Sequence, residues 1–109
     1  MNALLIAAII ALAPSAAPSP AAAPGYVVHI KDFKYAPTPL KIHVGETVQF
    51  INDDDEPHTV TATDKSFDSE ALDTSGKWTH TFTKAGTYSY FCEIHPYMKA
   101  TVIVTGDTK

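Results

Sequence analysis

The segment Cys92-Glu93-Ile94-His95-Pro96-Tyr97-Met98 places a thiolate, an imidazole and a thioether at the spacing C-x-x-H-x-x-M, close enough for one loop to turn all three onto a single ion. A second imidazole is available from His58, which follows Pro57. Two His and one Cys in a trigonal plane with a distant Met make up the donor set of blue-copper sites. Structural zinc takes four Cys or His ligands and has little use for a thioether, and calcium or magnesium takes a cage of oxygens. Each donor has an ordinary role when it stands alone. A single Met usually fills a core, a single Cys is a small buried hydrophobe, and a single His is a surface or satisfied residue. Their joint placement at one strand end points instead to a metal site.

The elements that must position these donors read as β-strands. Short runs rich in Val, Ile, Thr, Tyr and Phe are punctuated by turn residues, the pattern of an all-β sandwich or barrel, and no helical period competes. Tyr26–Ile30 is a first strand, closed by Lys31-Asp32-Phe33. Leu40, Ile42 and Val44 alternate with Lys41 and His43 up to Gly45-Glu46, and Thr47–Asn52 follows; this spacing predicts a hairpin. Asp53–Pro57 is a polar loop that leads into a strand over His58–Thr63. Asp64–Gly76 has no clean period and reads as a long surface connection with Phe67 and Leu72 as anchors beneath it. Trp78–Thr83 and Thr87–Cys92 predict a second hairpin, and Ala100–Val104 closes the sheet. Pro37 and Pro39 precede a strand, which suits residues that cannot donate to a ladder. About seven strands result.

The chain has 109 residues, room for one domain. The N-terminal stretch 1–23 carries no charged side chain, and Ala3–Ala13 is an apolar run of signal-peptide length, too short to span a bilayer. The small residues after Pro14 offer cleavage points between Ser15 and Ala22, so 1–23 reads as a signal peptide with an Ala/Pro-rich linker, and 24–109 as the folded domain. The n-region carries neither Lys nor Arg, leaving only the terminal amine positive. A periplasmic or secreted location follows, with no stable membrane insertion after cleavage. A lone thiol in an oxidising compartment is tolerated when it is buried and inert or held by a metal, and Cys92 is the sole cysteine. The formal net charge is −4 and the lysines are scattered, so no basic stripe exists to track nucleic acid.

Three segments carry a family resemblance: Asp55–Thr61, Phe82–Cys92 and Cys92–Met98. They resemble the cupredoxin family of type 1 blue copper proteins, and the short ligand loop is most similar to the amicyanin type among its plastocyanin-like members. The match runs over nearly the whole of 24–109. The resemblance implies a Greek-key β-sandwich of about seven to eight strands, one type 1 copper, and single-electron shuttling between redox partners. It implies His58 and His95 as imidazole ligands, Cys92 as the short thiolate ligand and Met98 as the weak axial ligand. Three positions depart from the pattern. Thr59 stands where many members have an Asn that ties the two ligand loops together, Ala100 where Gly is frequent, and Phe91 where a polar residue or His is common. The backbone N–H of Thr59 keeps the capacity to bond the Cys92 sulfur.

The same resemblance points to His95 as the electron exit, within an apolar rim supplied by Pro57, Pro96 and Tyr97. Such a rim suits a monomer that docks transiently on redox-partner proteins. The run Asp53–Glu56 can steer a basic partner or can simply be a solvated loop. His29 and His43 belong to the outer face, and His80 shares the face of Trp78 and Phe82 as a partly buried, hydrogen-bonded imidazole. Trp78, Tyr88 and Tyr90 read as core aromatics. The chain has no G-x-S-x-G elbow, P-loop, G-x-G-x-x-G or H-E-x-x-H, so an enzyme is not expected. The alternative to an electron carrier is a periplasmic copper-binding or copper-delivery protein that holds the metal as cargo.

Overall fold

The computed structural model describes residues 24–106; the signal-peptide reading therefore lies outside the described residues. Among the described residues there are eight strands: β1 (Tyr26–Lys31), β2 (Lys34–Ala36), β3 (Leu40–His43), β4 (Thr47–Asn52), β5 (Thr61–Ala62), β6 (Lys77–Thr81), β7 (Gly86–Phe91) and β8 (Lys99–Thr105). They form two four-stranded sheets, ordered β2-β1-β4-β6 and β3-β8-β7-β5. Both are mixed, because β1 runs parallel to β4 and β3 parallel to β8. This is an all-β sandwich, one of the two architectures the residue pattern allowed and the one, in Greek-key form, that the resemblance implied.

Alternation along the strands builds the core between the sheets. In β4 the inward Val48 and Phe50 are fully buried, and in β8 Ala100, Val102 and Val104 point the same way. Phe67 and Leu72 are buried beneath the 63–76 connection, as the anchors expected there. His80 lies half-buried, stacked on Trp78 at 5.3 Å and edge-on to Phe82 at 4.7 Å.

The expected hairpins are not formed. β3 and β4 lie in different sheets, and so do β6 and β7. Each pair satisfies the same alternation by crossing the sandwich: β3 lies on β8 and β4 between β1 and β6. Gly45, with a φ of 91°, makes one of these crossings. Lys31-Asp32-Phe33 does not simply end a strand either. Asp32 and Phe33, at φ 52° and 60°, form a two-residue turn into β2, with Lys31 paired to Lys34. The strand expected over His58–Thr63 contracts to Thr61–Ala62, with His58 held in an isolated bridge to Leu72.

Candidate metal centre

β7 delivers Cys92 to one end of the sandwich and β8 departs from it just after Met98, so β7–β8 pairing brings the two ends of the 92–98 loop together. Phe91 is paired with Lys99 in that ladder. Two further backbone bonds close the loop: Cys92 N–H donates to the Met98 carbonyl at 3.2 Å, and Met98 N–H to the His95 carbonyl at 2.9 Å. His58 reaches the same end from the other ligand loop, fixed by reciprocal backbone bonds with Leu72 of 3.1 and 2.8 Å.

His58, Cys92 and His95 each direct a ligating atom to one point, all within 4.8 Å of one another. Both imidazoles turn Nδ1 toward the sulfur, His58 at 3.8 Å and His95 at 3.7 Å. An ion bonded at about 2.0–2.1 Å to nitrogen and about 2.3 Å to a thiolate, with angles near 120°, requires N···S of about 3.8 Å. The spacing fits a trigonal N₂S site. His58, Cys92 and Met98 are buried, and His95 is half-buried.

A second layer of contacts holds this arrangement. The backbone N–H of Thr59 donates to Cys92 Sγ at 3.3 Å, as expected. Its hydroxyl also accepts from the Glu93 N–H at 2.8 Å. Thr59 thus ties the two ligand loops together where many relatives of this pattern use Asn. The hydroxyl lies 2.9 Å from Thr61 Oγ1, which donates to Asp68 at 3.2 Å, so the Thr59 proton points to Thr61 and leaves its lone pairs for Glu93. Tyr35 donates its hydroxyl to the Thr59 carbonyl. Burial first, and then the neighbouring Cys92 and Tyr90, push the Tyr35 phenol well above its usual value.

Two residues of the centre escaped the sequence reading. Asp54 belongs to the acidic run, but unlike exposed Asp53, Asp55 and Glu56 it is buried. Its Oδ2 lies 2.8 Å from His58 Nε2, while its oxygens accept the Asp32 and Phe33 N–H groups at 3.0 Å each. Desolvation works to raise the Asp54 carboxyl, but the bonds from Phe33, His58 and Asp32 outweigh it and hold the group below the usual carboxylate range. Phe33 stands edge-on to both imidazoles, at 5.2 Å from His58 and 4.9 Å from His95. The available signal was an Asp four residues before a His, which is too common to single out.

A family model described as the cupredoxin-like domain matches residues 2–104. This chain belongs to the cupredoxin family. It is 37% identical to the amicyanin of Paracoccus versutus over 83 residues, covering 72% of this chain and 63% of that protein's length. Among solved structures, a novel purple cupredoxin from Nitrosopumilus maritimus superposes with a TM-score of 0.71 at 31% identity, covering 73% of this cupredoxin and 99% of that one. The Cu(I) form of an amicyanin variant matches with a TM-score of 0.68 at 37% identity, over 77% of this chain and 85% of that one.

The remaining histidines lie apart from the centre. His29 is exposed and bonded to Asp53 at 2.6 Å, and His43 is half-buried with Nδ1 3.2 Å from the Thr105 hydroxyl. Among the described residues Tyr97 and Ile94 are the most exposed large apolar side chains, at 69% and 46%, and both lie within two positions of His95 in the ligand loop. Pro57 and Pro96 are exposed as well.

Proposed function

We propose that this protein is a one-electron carrier with a single type 1 copper held by His58, Cys92, His95 and Met98. The observation that carries this reading is the convergence of two Nδ1 atoms on the Cys92 sulfur at 3.8 and 3.7 Å, with Met98 buried at the foot of the same loop. Copper in such a donor set supplies a Cu(I)/Cu(II) couple. The chain's own part is to keep the donors in one arrangement through the change of charge. Bridges from Thr59 to both Cys92 and Glu93, and backbone bonds across the 92–98 loop, give the donors little freedom to rearrange. That rigidity favours electron transfer over delivery of copper as cargo, which requires donors that open. Burial of His58, Cys92 and Met98 supports a non-enzymatic role.

His95, the least buried of the four, is the route by which the electron leaves. Pro57, Pro96 and Tyr97 form the apolar rim on which a redox partner docks briefly, and a small rim of this kind suits a monomer. Asp53, Asp55 and Glu56 are exposed in the loop that carries His58 and favour a basic partner. The charge-free 1–23 stretch supports export to the periplasm or beyond. The test is an absorption spectrum with one equivalent of copper(II), followed by redox titration. An intense thiolate-to-copper band that bleaches on reduction and returns on oxidation is expected; a colourless protein, or copper released on reduction, overturns the reading in favour of a copper carrier.

A further inference from the structure

His58 is a buried ring with two nitrogens committed in opposite directions. Nδ1 faces the Cys92 sulfur at 3.8 Å and Nε2 lies 2.8 Å from Asp54 Oδ2. A carboxylate held by two backbone N–H donors is an acceptor, so the Nε2 side carries the proton and the Nδ1 lone pair is free for a metal. The carboxylate is itself anchored at every polar atom of its residue. Asp54 N–H donates to the buried Asn52 Oδ1 at 2.9 Å, and its carbonyl accepts from Thr74 Oγ1 at 2.7 Å.

The other end of this anchor is the Asp32–Phe33 turn. Phe33 has a φ of 60°, a conformation that a bulky residue seldom adopts without support. Support comes from Asp54, whose two oxygens take the N–H groups of both turn residues at 3.0 Å. The turn in that shape sets the Phe33 ring edge-on to both His58 and His95. One carboxylate therefore decides the orientation of an imidazole and the placement of the ring that lies against both imidazoles.

We propose that Asp54 is the positioning residue of the centre, fixing the His58 tautomer and ring angle and holding the Asp32–Phe33 turn as a cover over the two imidazoles. The inference rests on the copper reading only for its electrochemical consequence. A fixed negative charge bonded to a ligand's N–H favours the more positive metal state, and its removal favours the reduced one.

Asp54→Asn is close in shape but neutral, and its Nδ2 cannot accept the backbone N–H that the second carboxylate oxygen takes. In the copper-loaded full chain, the one-electron equilibrium against a fixed mediator is expected to move at least about tenfold toward Cu(I), ~59 mV. Asp54→Glu, which retains the charge, should recover most of that shift. A merely structural Asp54 would lower the melting temperature of the metal-free protein and leave the potential alone. An unchanged potential in a blue Asp54→Asn protein would overturn the proposal while leaving the copper reading intact.

A second measurement needs neither copper nor a variant. Nitrogen-15 NMR of the metal-free wild-type chain should show His58 as the Nε2–H tautomer, with that proton exchanging at least tenfold more slowly than the ring proton of exposed His29. A His58 ring proton on Nδ1, or exchange as fast as for His29, overturns the proposal whether or not Asp54→Asn folds. A colourless wild-type protein would instead defeat the copper reading, and the tautomer would still decide the positioning role.

Discussion

Thr59 and Cys92 stand 33 residues apart and are joined at 3.3 Å, backbone N–H to sulfur. The same threonine accepts the N–H of the residue after the cysteine. A single residue thus touches the thiolate and also locks the loop that carries it. Its hydroxyl and its backbone amide do different things, and substitution can separate them.

Thr59→Val removes the hydroxyl and keeps the backbone bond to the sulfur. The Glu93 N–H loses its protein acceptor, and because Glu93 is exposed, water takes part of its place. The metal-free protein should lose about 1 kcal/mol in urea unfolding. Thr59→Asn, which offers a side-chain carbonyl to the same N–H, should lose less.

Cys92→Ser should abolish the intense visible band of the copper(II) form, because the band arises from the thiolate. Met98→Leu should keep a coloured site and raise its potential, since a weak donor to the oxidised metal is lost. Absorption spectra and a redox titration check both. A Cys92→Ser protein that stayed intensely blue would falsify the ligand assignment.

Phe33→Gly sets two effects against each other. Glycine suits the positive φ of 60° better than phenylalanine does, which favours the turn by about 1–2 kcal/mol. It also strips the ring from His58 and His95. Metal-free melting should therefore change little, while a competing chelator should remove copper several-fold faster than from the wild type.

His80 supplies a pH dependence well away from the centre. Desolvation beside Phe67, Trp78 and Phe82 holds its pKa below the ordinary 6.5. Well above pH 6.5 the imidazole is neutral whether the chain is folded or not, and it contributes no slope. As pH falls below that value the unfolded chain takes up the proton first, so stability declines until the folded-state pKa is passed. Urea midpoints between pH 7.5 and 5, flatter for His80→Gln than for the wild type, are the expected result.

The features legible in the sequence were the local ones. C-x-x-H-x-x-M lies within one loop, so its spacing alone limits which donors can meet, and Cys92, His95 and Met98 are legible as candidate donors without a fold. Alternation in Thr47–Asn52 and Lys99–Thr105 likewise reports one buried face per strand. That alternation does not say what lies on the other side of a ladder. Leu40–His43 and Thr47–Asn52 satisfy it equally as a hairpin or as strands of opposite sheets, and the structure uses the second arrangement. The same ambiguity explains the false hairpin over 78–92.

The sequence by itself determined the candidate donor types, the short loop that carries three of them and the all-β character, because each depends on residues within a few positions of one another. Tertiary structure alone decided that Asp54 turns inward to His58 and the Asp32–Phe33 turn, that Phe33 lies against both imidazoles, and that Thr59 replaces the usual loop-tying amide. Apart from the Asp54–His58 bond, these contacts join residues more than twenty positions apart. The Asp54 bonds to the turn need β1 and β4 to pair, and the Thr59–Glu93 and Phe33–His95 contacts need the two sheets to pack; no periodicity or spacing along the chain encodes which side chains these steps bring within bonding distance.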